Sequence, residues 1–156
     1  MRSGFFKSYL SLFAIGLGVW WMQPARAALG GDAASVIADA AQLQGVDRTT
    51  SLAQYTIHEL TTDSGMRIRE FLNVDGIVFA VTWSGPVTPD LPALLGASFS
   101  AYAATLKGMN QRGLHRAVRI ATAGLVVETG GHMRAVNGRA YLPAMVPAGT
   151  PASDLR

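Results

Sequence analysis

The spacing of apolar residues changes several times along the chain, and each change marks an element. Residues 8–22 form a mostly apolar run carrying Leu10, Leu12, Phe13, Ile15, Leu17, Val19, Trp20 and Trp21. Over residues 32–45, Val36, Ile37, Ala40 and Leu43 follow a helical stripe. Asp32 suits its N-cap and Gly45 its end, so a short N-terminal helix is expected there. Residues 47–53 are polar and read as a loop. The period then falls to two, and residues 54–61, 66–73 and 76–83 read as three strands. Asp63-Ser64-Gly65 supplies the first turn. Asp75-Gly76 supplies the second, a pair suited to a type I′ hairpin.

Charge selects the first register. A three-residue loop at 63–65 sets Glu59 opposite Arg69 and His58 opposite Glu70. A two-residue loop would set Glu59 opposite Glu70, and like charges directly opposite are unfavourable. The chosen register, continued through an Asp75-Gly76 turn, aligns Leu60, Ile68 and Trp83 in one row. Leu72 with Phe79 forms another row on the same face, and His58, Glu70 and Val81 lie between them.

Gly85, Pro86 and Pro89 close the third strand. Asp90 can cap a helix running to about Leu106, with Leu91, Leu94, Leu95, Phe99, Tyr102 and Leu106 on its buried side. Its other side is mostly Ala and Ser, which is bland for a solvated helix. Three further strands are expected: 117–121 running on past Gly124 to Glu128, then 132–136, then 139–142. Gly130-Gly131 and Asn137-Gly138 are the expected tight turns. Pairing across Asn137-Gly138 then sets Arg134 beside Tyr141, with His132 one step along. The tail at 143–156, with Pro143, Pro147 and Pro151, reads as extended or frayed. The expected fold is α+β: a mainly antiparallel sheet of about six strands in hairpins, a central helix packed on it, and the short N-terminal helix.

The first apolar run has a different meaning. Arg2 and Lys7 precede it, Pro24 breaks it, and Ala25-Arg26-Ala27 follows as a small-x-small site. That order is the layout of a secretory signal peptide, and the run is shorter than the roughly 20 residues that a spanning helix needs. Cleavage is expected between Ala27 and Ala28, giving a periplasmic or secreted protein. Membrane contact is expected only through an uncleaved leader. The chain then divides into a signal peptide at 1–27, one domain at 28–142 and the Pro-rich tail at 143–156.

Removing the leader alters the charge. The whole chain has 13 basic and 10 acidic residues. Arg2, Lys7 and Arg26 leave with the leader, so the mature chain is close to neutral and shows no nucleic-acid signature. Residues 28–106 are acidic and residues 107–156 basic, a pattern that suits two halves attracting within one fold or a basic face for an anionic ligand. There is no cysteine, which removes disulfides, thiol catalysis and thiolate metal sites.

Candidate chemistry is sparse. Ser84 lacks the flanking glycines of a nucleophile elbow, since Thr82 and Pro86 stand in those places. His58, His115 and His132 show no helical zinc spacing, and His132-Met133 would point to opposite faces of a strand. No metal and no cofactor is expected. His58 and Glu70 are the candidates for acid–base chemistry, with a structural pair at the sheet rim as the plainer reading. Arg116, Arg119, Arg134 and Arg139 lie on or beside C-terminal strands. His132, Arg134 and Tyr141 together suit an anionic or sugar-like ligand, or simply a stacked pair covering the sheet.

Three segments carry a family resemblance: Ala28-Leu29-Gly30-Gly31; the stretch from Val81-Thr82-Trp83-Ser84-Gly85-Pro86 through Pro89-Asp90-Leu91 to Leu94-Leu95-Gly96; and Gly130-Gly131-His132-Met133-Arg134-Ala135 with Gly138-Arg139-Ala140-Tyr141-Leu142-Pro143. Together they resemble the family of exported bacterial proteins called domain of unknown function 2844. The resemblance implies a small exported domain of Gram-negative bacteria and brings no catalytic residues with it. The functional expectation is a non-catalytic binding or interaction module of the cell envelope, with an envelope protein or an anionic or sugar-like molecule as partner. A small hydrolase-like enzyme using His58 and Glu70, and a structural envelope protein, are the alternatives.

Overall fold

The computed structural model describes residues 28–32, 46–109 and 117–156. The expected leader, the expected N-terminal helix beyond Asp32, and the segment holding His115 and Arg116 lie outside these residues. Seven strands form one antiparallel sheet: β1 (Val46–Ser51), β2 (Thr56–Thr61), β3 (Arg67–Leu72), β4 (Val78–Gly85), β5 (Ala117–Ala121), β6 (Val126–His132) and β7 (Ala135–Tyr141). Their order is β1-β2-β3-β4-β7-β6-β5. Between β4 and β5 the chain runs through α1 (Leu91–Leu95), a 3-10 turn at Gly96–Ser98, and α2 (Phe99–Gly108). The fold is therefore α+β, with one strand more than expected.

The extra strand is β1, in the segment read as a loop. Its sequence VDRTTS has no apolar face. As an edge strand it needs none: it pairs with β2 through its backbone, Thr49 opposite His58 and Arg48 opposite Glu59. β-Branched threonines favour the extended state in the absence of a hydrophobic pattern.

The β2–β3 hairpin has the register that charge selected, with Glu59 opposite Arg69 and His58 opposite Glu70. The next hairpin differs. Asn73 N–H bonds Ile77 O at 3.0 Å and Gly76 takes φ of 75°, so the loop holds three residues, not two. A bulge at Phe79 absorbs the extra residue, because Leu72 faces Val78 while Phe71 faces Ala80. The register beyond is as expected, and Ile68 faces Trp83. Phe79, however, turns to the opposite face from Trp83 and Val81. There it meets Phe71 and Tyr55, with ring centroids 6.2 and 6.0 Å away.

The C-terminal hairpins also depart from expectation. Thr122 Oγ1 accepts from Leu125 N–H at 3.0 Å, and this turn separates β5 from β6. Gly130 and Gly131 lie inside β6, and Asn137 and Gly138 inside β7. The hairpin between them turns at Met133-Arg134, with His132 opposite Ala135. Arg134 takes φ of 64°, a left-handed position more easily filled by Gly or Asn.

One face of the sheet is covered by the helical segment. Asp90 Oδ1 accepts from Ala93 N–H at 3.2 Å, which starts α1 as expected. Leu94, Leu95 and Tyr102 are buried against Ile68, Val81, Trp83, Ile120 and Val127. Gly96 takes φ of 50°, and an added Cβ would collide with Ala28. This close approach breaks the helix into two and lets Leu29 N–H bond Leu94 O at 2.9 Å.

The tail is part of the fold. It makes 3-10 turns at Pro143–Met145 and Ala152–Asp154 and returns across the other face. Leu155 is fully buried in a cluster with Phe71, Phe79 and Ala80, flanked by Tyr55, Ile57, Tyr141 and Val146. Fully burying such a side chain contributes about 1.5–3 kcal/mol.

Candidate functional site

The face opposite the helices is built from three cross-strand rows. The first is apolar: Ile57, Phe71, Ala80, Tyr141 and Val126, lying beneath the returning tail. The second is charged and crosses all seven strands: Arg48, Glu59, Arg69, Thr82, Arg139, Glu128 and Arg119. The third is small and polar: Arg67, Ser84, Asn137, Gly130 and Ala117. Alternation puts every second residue of each strand on this face, so these rows follow from the register alone.

The charged row is the same read from either end, with Thr82 at its centre. Each glutamate stands between arginines. Glu59 accepts from Arg69 Nε at 2.5 Å and faces Arg67 Nε at 3.6 Å. Glu128 accepts from Arg139 Nε at 2.7 Å and meets Arg119 Nε at 2.9 Å. These ion pairs lie within each half of the chain, so they do not join the acidic half to the basic one. Exposed pairs of this kind contribute little to stability, but they fix where a guanidinium points. The side chains of Arg67 and Arg119 remain 53% and 68% exposed, and those of Arg69 and Arg139 32% and 27%.

The inner arginines also hold the tail. Arg69 Nη1 donates to Arg156 O at 2.6 Å, and Arg139 Nη1 donates to Ala152 O. Beyond the tail the face opens into a groove of about 490 Å³. Arg67, Arg69, Arg139 and Arg156 surround it, and Ser84, Asn137, Gly130 and Ala117 lie along it. The third row leaves this room because Gly130 has no side chain and Ala117 and Ser84 have short ones. Among the described residues that line the groove, Glu128 is the one acid beside four arginines, so the groove is basic.

The residues expected to form a site are distributed differently. His132 and Arg134 are exposed at the β6–β7 tip. Tyr141 ends β7 about 20 Å along the strand, opposite Ala80 and Val126. The cross-strand Arg134–Tyr141 pair is therefore absent, because the chain turns at Met133-Arg134 and not at Asn137-Gly138. His132 and Met133 instead line a second groove of about 330 Å³ on the helix side, with Trp83 and Tyr102.

His58 and Glu70 are cross-strand neighbours as expected, on the helix side of the sheet. Glu70 is buried, and His58 Nδ1 lies 3.2 Å from Thr49 Oγ1 on the edge strand. Among the described residues no three His, Asp or Glu side chains converge to hold a metal ion. Arg119 and Arg139 do join the charged row. Arg67, Arg69, Glu128, Ser84 and Asn137 were not foreseen as site residues. The Glu59–Arg69 pairing was legible and would have indicated the row; Glu128 opposite Arg139 needed the true hairpin turn.

A family model described as "Protein of unknown function (DUF2844)" matches residues 25–155, so the chain belongs to that family. No curated protein and no solved structure matches it.

Proposed function

We propose that this member of the DUF2844 family is an exported, non-catalytic binding module of the cell envelope that takes an anionic ligand on the open face of its sheet. The observation that carries this reading is the basic groove beside the charged row. Its inner guanidinium groups are oriented by Glu59 and Glu128, and the Arg67 side chain beside them is 53% exposed. Oriented arginines suit phosphate and carboxylate, because their donors form a planar fork. The enzymatic alternative rests on His58 and Glu70, which stand on the opposite face from this groove. Export rests on the basic, apolar and small-x-small leader at residues 1–27.

The test is titration of the exported protein with pyrophosphate and with citrate, read by calorimetry. Binding is expected to weaken as salt is added. Arg67→Ala is expected to weaken it about tenfold or more while thermal unfolding stays unchanged, since Arg67 is exposed and its loss leaves no cavity. A folded protein that binds neither anion, or an Arg67→Ala variant that binds as well as the parent, overturns the reading.

A further inference from the structure

We propose that residues 152–156 are a displaceable strap, competing with the anionic ligand for Arg69 and Arg139. This rests on the anion-binding reading above and adds its regulation.

The two arginines occupy equivalent places on either side of Thr82. Each uses Nε to hold a glutamate and Nη1 to hold a main-chain oxygen of the strap. Those oxygens belong to Arg156 and Ala152, at the two ends of the five-residue segment. The strap thus meets both inner guanidinium groups with main-chain acceptors. A guanidinium bond to a neutral carbonyl is already charge-assisted, and a phosphate or carboxylate oxygen adds the attraction of a full opposite charge. A ligand anion therefore has an advantage over the Ala152 carbonyl at Arg139.

Leu155 opposes release. It is the anchor, fully buried in the aromatic cluster, whereas Ser153 and Asp154 beside it are exposed. The strap is otherwise held by a short 3-10 turn and by the arginine contacts. Leu155 and Arg156 also line the groove, so strap and ligand are adjacent. β3 and β7 flank β4 and are about 10 Å apart. A compact anion with two charged groups is the ligand class that can engage both arginines, and it can do so fully only where the strap has left.

A site open for only part of the time binds with an affinity reduced by that fraction. Two measurements follow. In the intact protein, saturating pyrophosphate is expected to speed backbone amide exchange in the peptide spanning residues 143–156 at least several-fold, with β4 unchanged. In a Leu155→Ala variant, pyrophosphate is expected to bind about tenfold tighter, because the anchor that holds the strap is weakened. Citrate runs in parallel: citrate alone binding marks a carboxylate ligand, and pyrophosphate alone a phosphate one. Binding without faster exchange of the tail, or with equal or weaker affinity in a folded Leu155→Ala variant, makes the strap a fixed wall and overturns the proposal. If Leu155→Ala does not fold, the exchange measurement on the intact protein decides alone. If neither anion binds the intact protein or a folded Leu155→Ala variant, the anion-binding reading itself has failed, a result distinct from a groove that binds with an immobile strap.

Discussion

Trp83 lies against Gly138 so closely that a Cβ there would collide with the indole ring and with Glu128 O. The glycine is required by this packing, not by a turn. Asn137-Gly138 has the composition of a type I′ turn, and composition cannot distinguish a glycine that bends the chain from one that makes room for a ring. The chain turns instead at Met133-Arg134, where a non-glycine residue carries the positive φ. Gly138→Ala should therefore destabilise the protein by about 1–3 kcal/mol, the usual cost of overpacking a filled site. Urea denaturation checks this, through a lower midpoint at an unchanged slope. A midpoint equal to the parent's would show that the ring does not depend on this contact.

At the scale of elements, legibility followed the strength of the local pattern. β2 and β3 are bounded by clear turn residues and carry opposite charges in register, so strands and pairing were readable. The helical segment was readable from Asp90 and its leucine stripe. β1 was not, because an edge strand with two polar faces has no hydrophobic period to detect. The bulge at Phe79 was not, because an extra loop residue and a bulge cancel in the register and leave no trace beyond it. The groove was half legible: Glu59 and Arg69 were paired from sequence, while its far half depended on a turn that lacks turn residues. The tail was misjudged because its prolines suggested fraying, whereas one leucine near the end decides its position.

Tyr102 on α2 supplies a test of how the helix sits on the sheet. Burial pushes its hydroxyl pKa above the ordinary value of 10.0. The folded state thus favours the neutral phenol more than the unfolded chain does. Its contribution is fully present below the unfolded pKa and is lost as pH rises from there through the folded value. Parent and Tyr102→Phe should therefore lose stability differently above about pH 10, with the smaller loss in the variant. Urea unfolding at pH 8 and pH 10.5 measures it, and parallel losses in both proteins would mean that Tyr102 is solvated.

At the scale of the whole molecule, the sheet separates two kinds of face. One is covered by the helices and by the segment around Leu29, apart from the groove at its β6–β7 end. Among the described residues, the tail covers the other along its apolar row and leaves it charged and open beyond. The first described residues matter here. Ala28 packs against Gly96, and Leu29 is buried with its N–H bonded to Leu94 O. Residues 28 and 29 thus take part in the fold, immediately after the small-x-small site at 25–27. Cleavage after Ala27 would remove three basic residues and keep Ala28 and Leu29, leaving a nearly neutral chain whose described arginines other than Arg134 lie on the open face. Protein recovered from the periplasm should therefore begin Ala-Leu-Gly-Gly. Edman sequencing or intact mass is sufficient to test it. A chain that retains Met1 and sediments with the membrane would rule out the released form and put the groove on a tethered protein instead.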